Sequence, residues 1–227
     1  MTQKNSQLTL PVLNYSFLRD FKNCPHKAFR RYVVKDIQFT ATKKMDEGRA
    51  DHDALANRLK RGVALDRHLR HAEPICAVLD ALPERVKIKI EWFGGINSAG
   101  EPCAWDAKDC WFRTKPDVAV ITPAGGWLID WKTGRRWEDP FELETQAMLL
   151  SAHHPETRIW QGEYYWLADE SCGERYTLAP IDTYDNLMNT AGLMHSYLKV
   201  GEWPKQPNKL CGYCNVRDCE HAPKTSN

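Results

Sequence analysis

The chain has 227 residues, of which 42% are hydrophobic, enough to bury one sizeable core. Its formal net charge is only +1, which excludes a global polycation as the basis of nucleic-acid binding. No apolar run approaches the roughly 18 to 20 residues of a membrane helix, and the opening MTQKNSQLTL lacks a signal-peptide centre, so a soluble, cytoplasmic protein with no membrane partner is expected.

After a polar tail, Tyr15-Ser16-Phe17-Leu18 opens a predicted helix with Ser16 as its N-cap, running through Phe21 towards Cys24-Pro25. A second helical stretch follows Pro25 and carries Ala28, Phe29 and Tyr32. From Arg19 to Arg70 there are 14 Lys and Arg against 7 Asp and Glu; this local excess fits either a phosphate-tracking groove or a solvated helical face. Met45 to Arg61 is a third predicted helix, because His52, Leu55, Ala56 and Leu59 recur with helical spacing. His52 therefore shares the apolar side.

The period then changes. Val86 to Trp92 alternates apolar and charged residues, the pattern of a half-buried strand, with Glu91 on its polar face beside Lys87 and Lys89. A Gly-rich, polar excursion from Gly94 to Asp109 leads to a second strand, Trp111 to Ile121. A turn at Thr122–Gly126 precedes a third, Trp127 to Lys132. Phe141 to His153 reads as a helix, Ile159 to Leu167 as a strand, Tyr176 to Ile181 as an edge strand, and Tyr184 to Val200 as a long helix before a cysteine-rich tail. This order implies an α/β or α+β core with a mixed central sheet flanked by helices.

In Asp130-Trp131-Lys132 the period of two puts Asp130 and Lys132 on one face and Ile129 and Trp131 on the other. The short turn makes the two preceding strands antiparallel neighbours, so Asp117 and Asp130 are expected to share a hard divalent cation, as phosphodiester hydrolysis requires. Lys132 would orient the attacking water or neutralise charge developing on the phosphate. A lone Asp-x-Lys is also what a cross-strand ion pair leaves in a sequence. His52 is a further candidate ligand, and imidazole favours Mn over Mg; its bland reading is a core histidine with a hydrogen-bond partner. Gln146 shares a helical face with Leu143, Ala147 and Leu150, and its amide is a candidate contact for Lys132, a metal-bound water or a nucleic-acid backbone. Glu91 is a weaker candidate. Tyr15, Trp131, Trp137, Tyr164 and Tyr165 are aromatics that either stack on bases or pack in the core.

Cys211-Gly-Tyr-Cys214-Asn-Val-Arg-Asp-Cys219 sets three of the eight cysteines within nine residues. In a reducing compartment that spacing points to metal ligation rather than disulfides, with a fourth ligand still to be supplied. Cys76, Cys103, Cys110 and Cys172 read as ordinary core or loop thiols.

Taken in order, the Tyr15–Leu18 opening with Phe21 and Cys24-Pro25, the helical His52, the Lys-Pro-Asp117 strand, Ile-Asp130-Trp-Lys132-Thr-Gly and the Gln146 helix resemble RecB-like PD-(D/E)XK nucleases, from about Tyr15 to Cys219. The likeness is nearest to small stand-alone members, such as the CRISPR-associated Cas-four-type exonucleases and their phage-borne relatives. The resemblance implies a restriction-endonuclease-like core, with His52, Asp117 and Asp130 as Mg or Mn ligands and Lys132 as catalytic. It also implies a [4Fe-4S] cluster on Cys24, Cys211, Cys214 and Cys219 that joins the two ends of the chain; the alternative is a zinc knuckle using His221 or His26 in place of Cys24. The family's Gln-x-x-x-Tyr is broken by Leu150, which weakens the role carried to Gln146.

The expected organisation is a single domain over 1–227. It comprises an N-terminal helical segment at 15–44, a catalytic core at 45–183 and a C-terminal helix with the cysteine tail at 184–227. The expected activity is a metal-dependent DNA exonuclease acting on single-stranded ends in phage or bacterial recombination or repair, in the host cytoplasm if phage-encoded. A homo-oligomer or recombination partner proteins would fit such a role. The alternatives are a non-catalytic DNA- or partner-binding iron-sulfur module and a structure-specific endonuclease of the same fold.

Overall fold

Helix α1 (Tyr15–Asn23) starts before Ser16, because Asn14 and not Ser16 is its cap: the Asn14 side chain accepts from the Phe17 N–H at 2.9 Å. The computed structural model describes residues 8–37 and 40–223; the polar stretch 1–7 lies outside them. The chain packs as two units, one of the residues up to Thr40 with those from Asn186 on, the other Ala41–Asp185.

In the first unit, α1 is followed by α2 (Pro25–Ala28) and a π-helical turn, Phe29–Val34. Phe17 stacks on Tyr32 at 4.7 Å, and Trp203 stacks on Phe29 at 5.0 Å while meeting Phe21 edge-on at 5.7 Å. Residues from both ends of the sequence thus share one aromatic core. The buried Asp20 is satisfied by Arg31 (2.7 Å), the Tyr32 hydroxyl (3.2 Å) and Lys27 (3.4 Å), and Arg30 bonds Asp36 and Asp218, each at 2.7 Å. Lys27, Arg30 and Arg31, three bases of the Arg19–Arg70 excess, are thus paired with acids.

The second unit begins with α3 (Lys43–Arg61), which Gly62 ends in the left-handed conformation at φ +68°. A 3₁₀ turn (Arg67–Ala72) and α4 (Glu73–Asp80) follow. The strands are β1 (Lys87–Ile90), β2 (Gly94–Asn97), β3 (Pro102–Cys103), β4 (Cys110–Thr114), β5 (Val118–Ile121) and β6 (Gly126–Lys132). After α5 (Pro140–His153) come β7 (Trp160–Trp166), β8 (Ser171–Cys172), β9 (Tyr176–Leu178) and α6 (Pro180–Val200). The central sheet has the order β1-β5-β6-β7-β8, with β9 also on β7, and only β6 and β7 run parallel. The expected mixed α/β architecture is present.

Three local expectations change. The Gly94–Asp109 excursion is not a loop, since β2, β3 and β4 form a small antiparallel sheet of their own. The long second strand is broken at Lys115-Pro116-Asp117: proline has no N–H for a ladder, and the chain passes there from one sheet to the other. Tyr176 to Ile181 ends early as a strand because Pro180 opens α6.

Alternation along β5 and β6 sorts the core. Val118, Val120, Ile129 and Trp131 face Leu55, Leu69 and Leu79, whereas Ala119, Ile121 and Leu128 face Leu143, Ala147 and Leu150 of α5. Gly126 pairs with Trp160 across the parallel ladder, and a Cβ there would lie 2.3 Å from the indole. Gly126→Ala is therefore expected to lower stability by about 1–3 kcal/mol through overpacking; an unchanged midpoint in a urea titration would contradict this.

Candidate active site

The register of β5 and β6 pairs Val118 with Ile129, so one step further Asp117 lies across from Asp130 at the same end of the sheet. Both are buried, each 5% exposed. Asp117 accepts from the Trp131 backbone N–H through Oδ2 at 2.8 Å, and its Oδ1 lies 3.1 Å from Nδ1 of His52. Asp130 accepts from Gln146 Nε2 at 2.9 Å and lies 2.6 Å from Lys132 Nζ. Lys132 also donates to Glu142 at 2.8 Å. Gln146 thus reaches a carboxylate, a partner not among those expected for it, and Leu150 lies wholly in the core.

Two acids join these residues: Glu142, which the sequence does not single out, and Glu91, its weaker candidate. Glu142 lies one helical turn before Gln146, and that spacing was its only signal. Glu91 follows β1 in the left-handed region, φ +51°, a conformation costing a non-glycine residue roughly 1–2 kcal/mol. Its N–H donates to the Asp117 carbonyl at 2.8 Å. Its side chain makes a close ion pair with Lys115 through Oε2, while Oε1 sits 3.8 Å from His52 Nδ1 and is buried without a hydrogen-bond partner among the described residues. His52, Glu91 and Asp117 each offer a ligand atom within 4.8 Å of the others; Asp130 stands outside that tighter group. Alternation pointed to Glu91 on the polar face but not to its reach towards His52, because the left-handed residue ends the alternation.

Charge is finely balanced here. Burial, then the nearby Asp130, pushes the Asp117 carboxyl above its ordinary range. Burial also acts against the Glu91 anion, but His52 and Lys115 outweigh it and hold Glu91 low. Burial opposes the His52 imidazolium too, yet Asp117 and Glu91 overcome it and raise His52. Lys132, desolvated but held by Asp130 and Glu142, is raised and stays cationic. Carboxylate oxygens and one imidazole, with buried lone pairs left over, form a donor set that fits a hard or borderline divalent ion.

His52, Asp117, Asp130, Lys132, Glu142 and Gln146 line one cavity of about 350 Å³. A larger cleft of about 1080 Å³ shares His52, Lys115, Thr133 and Gly134 with it. In the first unit, Cys24, Cys211, Cys214 and Cys219 line a separate small cavity of about 30 Å³, with His26 and His221 also on its wall. The backbone N–H of Asn208 points at Cys211 Sγ, 3.3 Å away. Cys76 is buried in the core, Cys103 and Cys110 lie on the small sheet, and Cys172 is exposed on β8.

The family model for the PD-(D/E)XK nuclease superfamily matches residues 12–219. No curated protein matches the chain. Among solved structures it is similar to the crystal structure of SSO0001, at 13% identity and a TM-score of 0.38, over 94% of this chain and 84% of that one. No helix among the described residues is long and apolar enough to cross a membrane.

Proposed function

The chain belongs to the PD-(D/E)XK nuclease superfamily, and from that premise we propose that it is a Mg- or Mn-dependent DNA exonuclease acting at single-stranded ends. The observation that carries this reading is the meeting of Asp117, Asp130, His52 and Lys132 in one cavity. His52, Asp117 and Asp130 would hold the cation, with Glu91 beside them. A divalent ion held there supplies the positive charge that polarises a phosphoryl group and makes bound water acidic. Lys132, kept protonated between Asp130 and Glu142, orients the attacking water and offsets charge on the phosphate. Gln146 and the Trp131 N–H fix the two carboxylates before substrate arrives, so little reorganisation is left to the reaction.

End-labelled single-stranded DNA with Mn tests the proposal. The expected result is shortening from an end, no cutting of closed circles, and no product with EDTA. Cutting of circles would make the protein an endonuclease of the same fold, and no cleavage above an Asp130→Ala control would make it a binding module.

We also propose that Cys24, Cys211, Cys214 and Cys219 bind a [4Fe-4S] cluster. Four thiols around one cavity, one of them facing a backbone N–H, suit such a cluster. Anaerobically purified protein should be brown, with about four irons per chain; a colourless sample with stoichiometric zinc would overturn the assignment in favour of a knuckle using His26 or His221.

A further inference from the structure

Of the five aromatic residues that sequence reading offered for base stacking, four are core residues: Tyr15 is 9% exposed, Trp131 2%, Tyr164 0% and Tyr165 5%. Trp137 is 79% exposed and has no ring partner among the described residues. A single exposed indole means little alone. Its position gives it meaning, because Trp137 lies in the segment that leaves β6 five residues after Lys132. Arg135 and Arg136 of that segment line the about 1080 Å³ cleft, which also reaches Lys115 and His52. Arg136 is engaged by Glu138 at 2.9 Å, whereas Arg135 makes no ion pair among the described residues.

We propose that Gly134–Trp137 is a strand-holding platform on which the Trp137 indole stacks against an unpaired base while Arg135 contacts the flanking phosphate. This rests on the nuclease reading and adds to it the residues that hold the single strand. Phosphate contacts position a strand without regard to pairing. A base offers its face to an indole only when it is unstacked, so the platform selects single strands over duplex. Continuity with the cleft leads the held strand towards Asp117 and Asp130.

The test uses the full-length protein in EDTA, so that binding is read apart from cleavage, with anisotropy of a labelled oligothymidine and of a blunt hairpin duplex. Trp137→Ala is expected to weaken the single strand by about 5- to 150-fold, the span of one base–aromatic stack, and to leave the duplex unchanged. Trp137→Phe should retain most of the affinity. Arg135→Ala should weaken both ligands and reduce the salt slope by about one. Loss of both ligands alike in Trp137→Ala, or loss of neither, overturns the platform while leaving the nuclease reading intact if wild-type protein still cuts DNA. Wild-type protein that neither binds nor cuts overturns both.

Discussion

Asp117→Asn is expected to lower the cleavage rate by at least about a thousandfold, equivalent to about 4 kcal/mol of transition-state stabilisation, while the protein stays folded. Asparagine matches the shape of the side chain and can still accept the Trp131 N–H, so the β5–β6 contact survives. What disappears is the charge that faces His52 and any cation beside it. Mn affinity, measured by calorimetry, should fall together with activity. Glu91→Gln should weaken Mn by about tenfold, as loss of a supporting carboxylate does, because its Oε1 belongs to the same tight group. Full cleavage by Asp117→Asn would remove the metal from the mechanism; unchanged Mn affinity in Glu91→Gln would return Glu91 to a purely structural ion pair with Lys115.

The second large effect is expected from Cys24→Ser. In the chain-entropy picture, closing a loop of well over a hundred residues stabilises by about 5 kcal/mol, and Cys24 is separated from Cys211 by most of the sequence. Losing one of four ligands should release the group, bleach the protein and lower its melting temperature by about 10–20 °C. The aromatic core around Trp203 stays intact in the substitution, so residues 8–37 should become more sensitive to protease without unfolding at ambient temperature. An unchanged melting curve, with no metal lost relative to wild type, would show that the four thiols hold nothing structural.

Much of the fold was legible because it follows from local periodicity. The two-residue alternation of Ile129-Asp130-Trp131-Lys132 assigned faces correctly, with Trp131 in the core and Asp130 in the polar cavity. The short turn after Ile121 implied the antiparallel pairing that sets Asp117 across from Asp130. Helical spacing likewise put His52 on the inner side of α3 and Gln146 on the inner side of α5. The Arg67–Ala72 turn and the Glu73–Asp80 helix passed unread because both are short, although Asp66 before the first and Glu73-Pro74 at the start of the second are residues that open helices.

Sequence by itself thus determined which side chains share a face of a strand or helix, since that depends only on backbone geometry over a few residues. Tertiary structure alone decided which faces meet. Glu91 reaches His52 through a left-handed residue, and Lys132 is shared with Glu142 from a helix packed on the sheet. Arg30 and Arg31 are neutralised by acids near and far in sequence, and four aromatics are buried while Trp137 is left in water. Each of these outcomes rests on contacts between residues brought together by packing, where the energy lies in burial and charge pairing across elements and no local period records it.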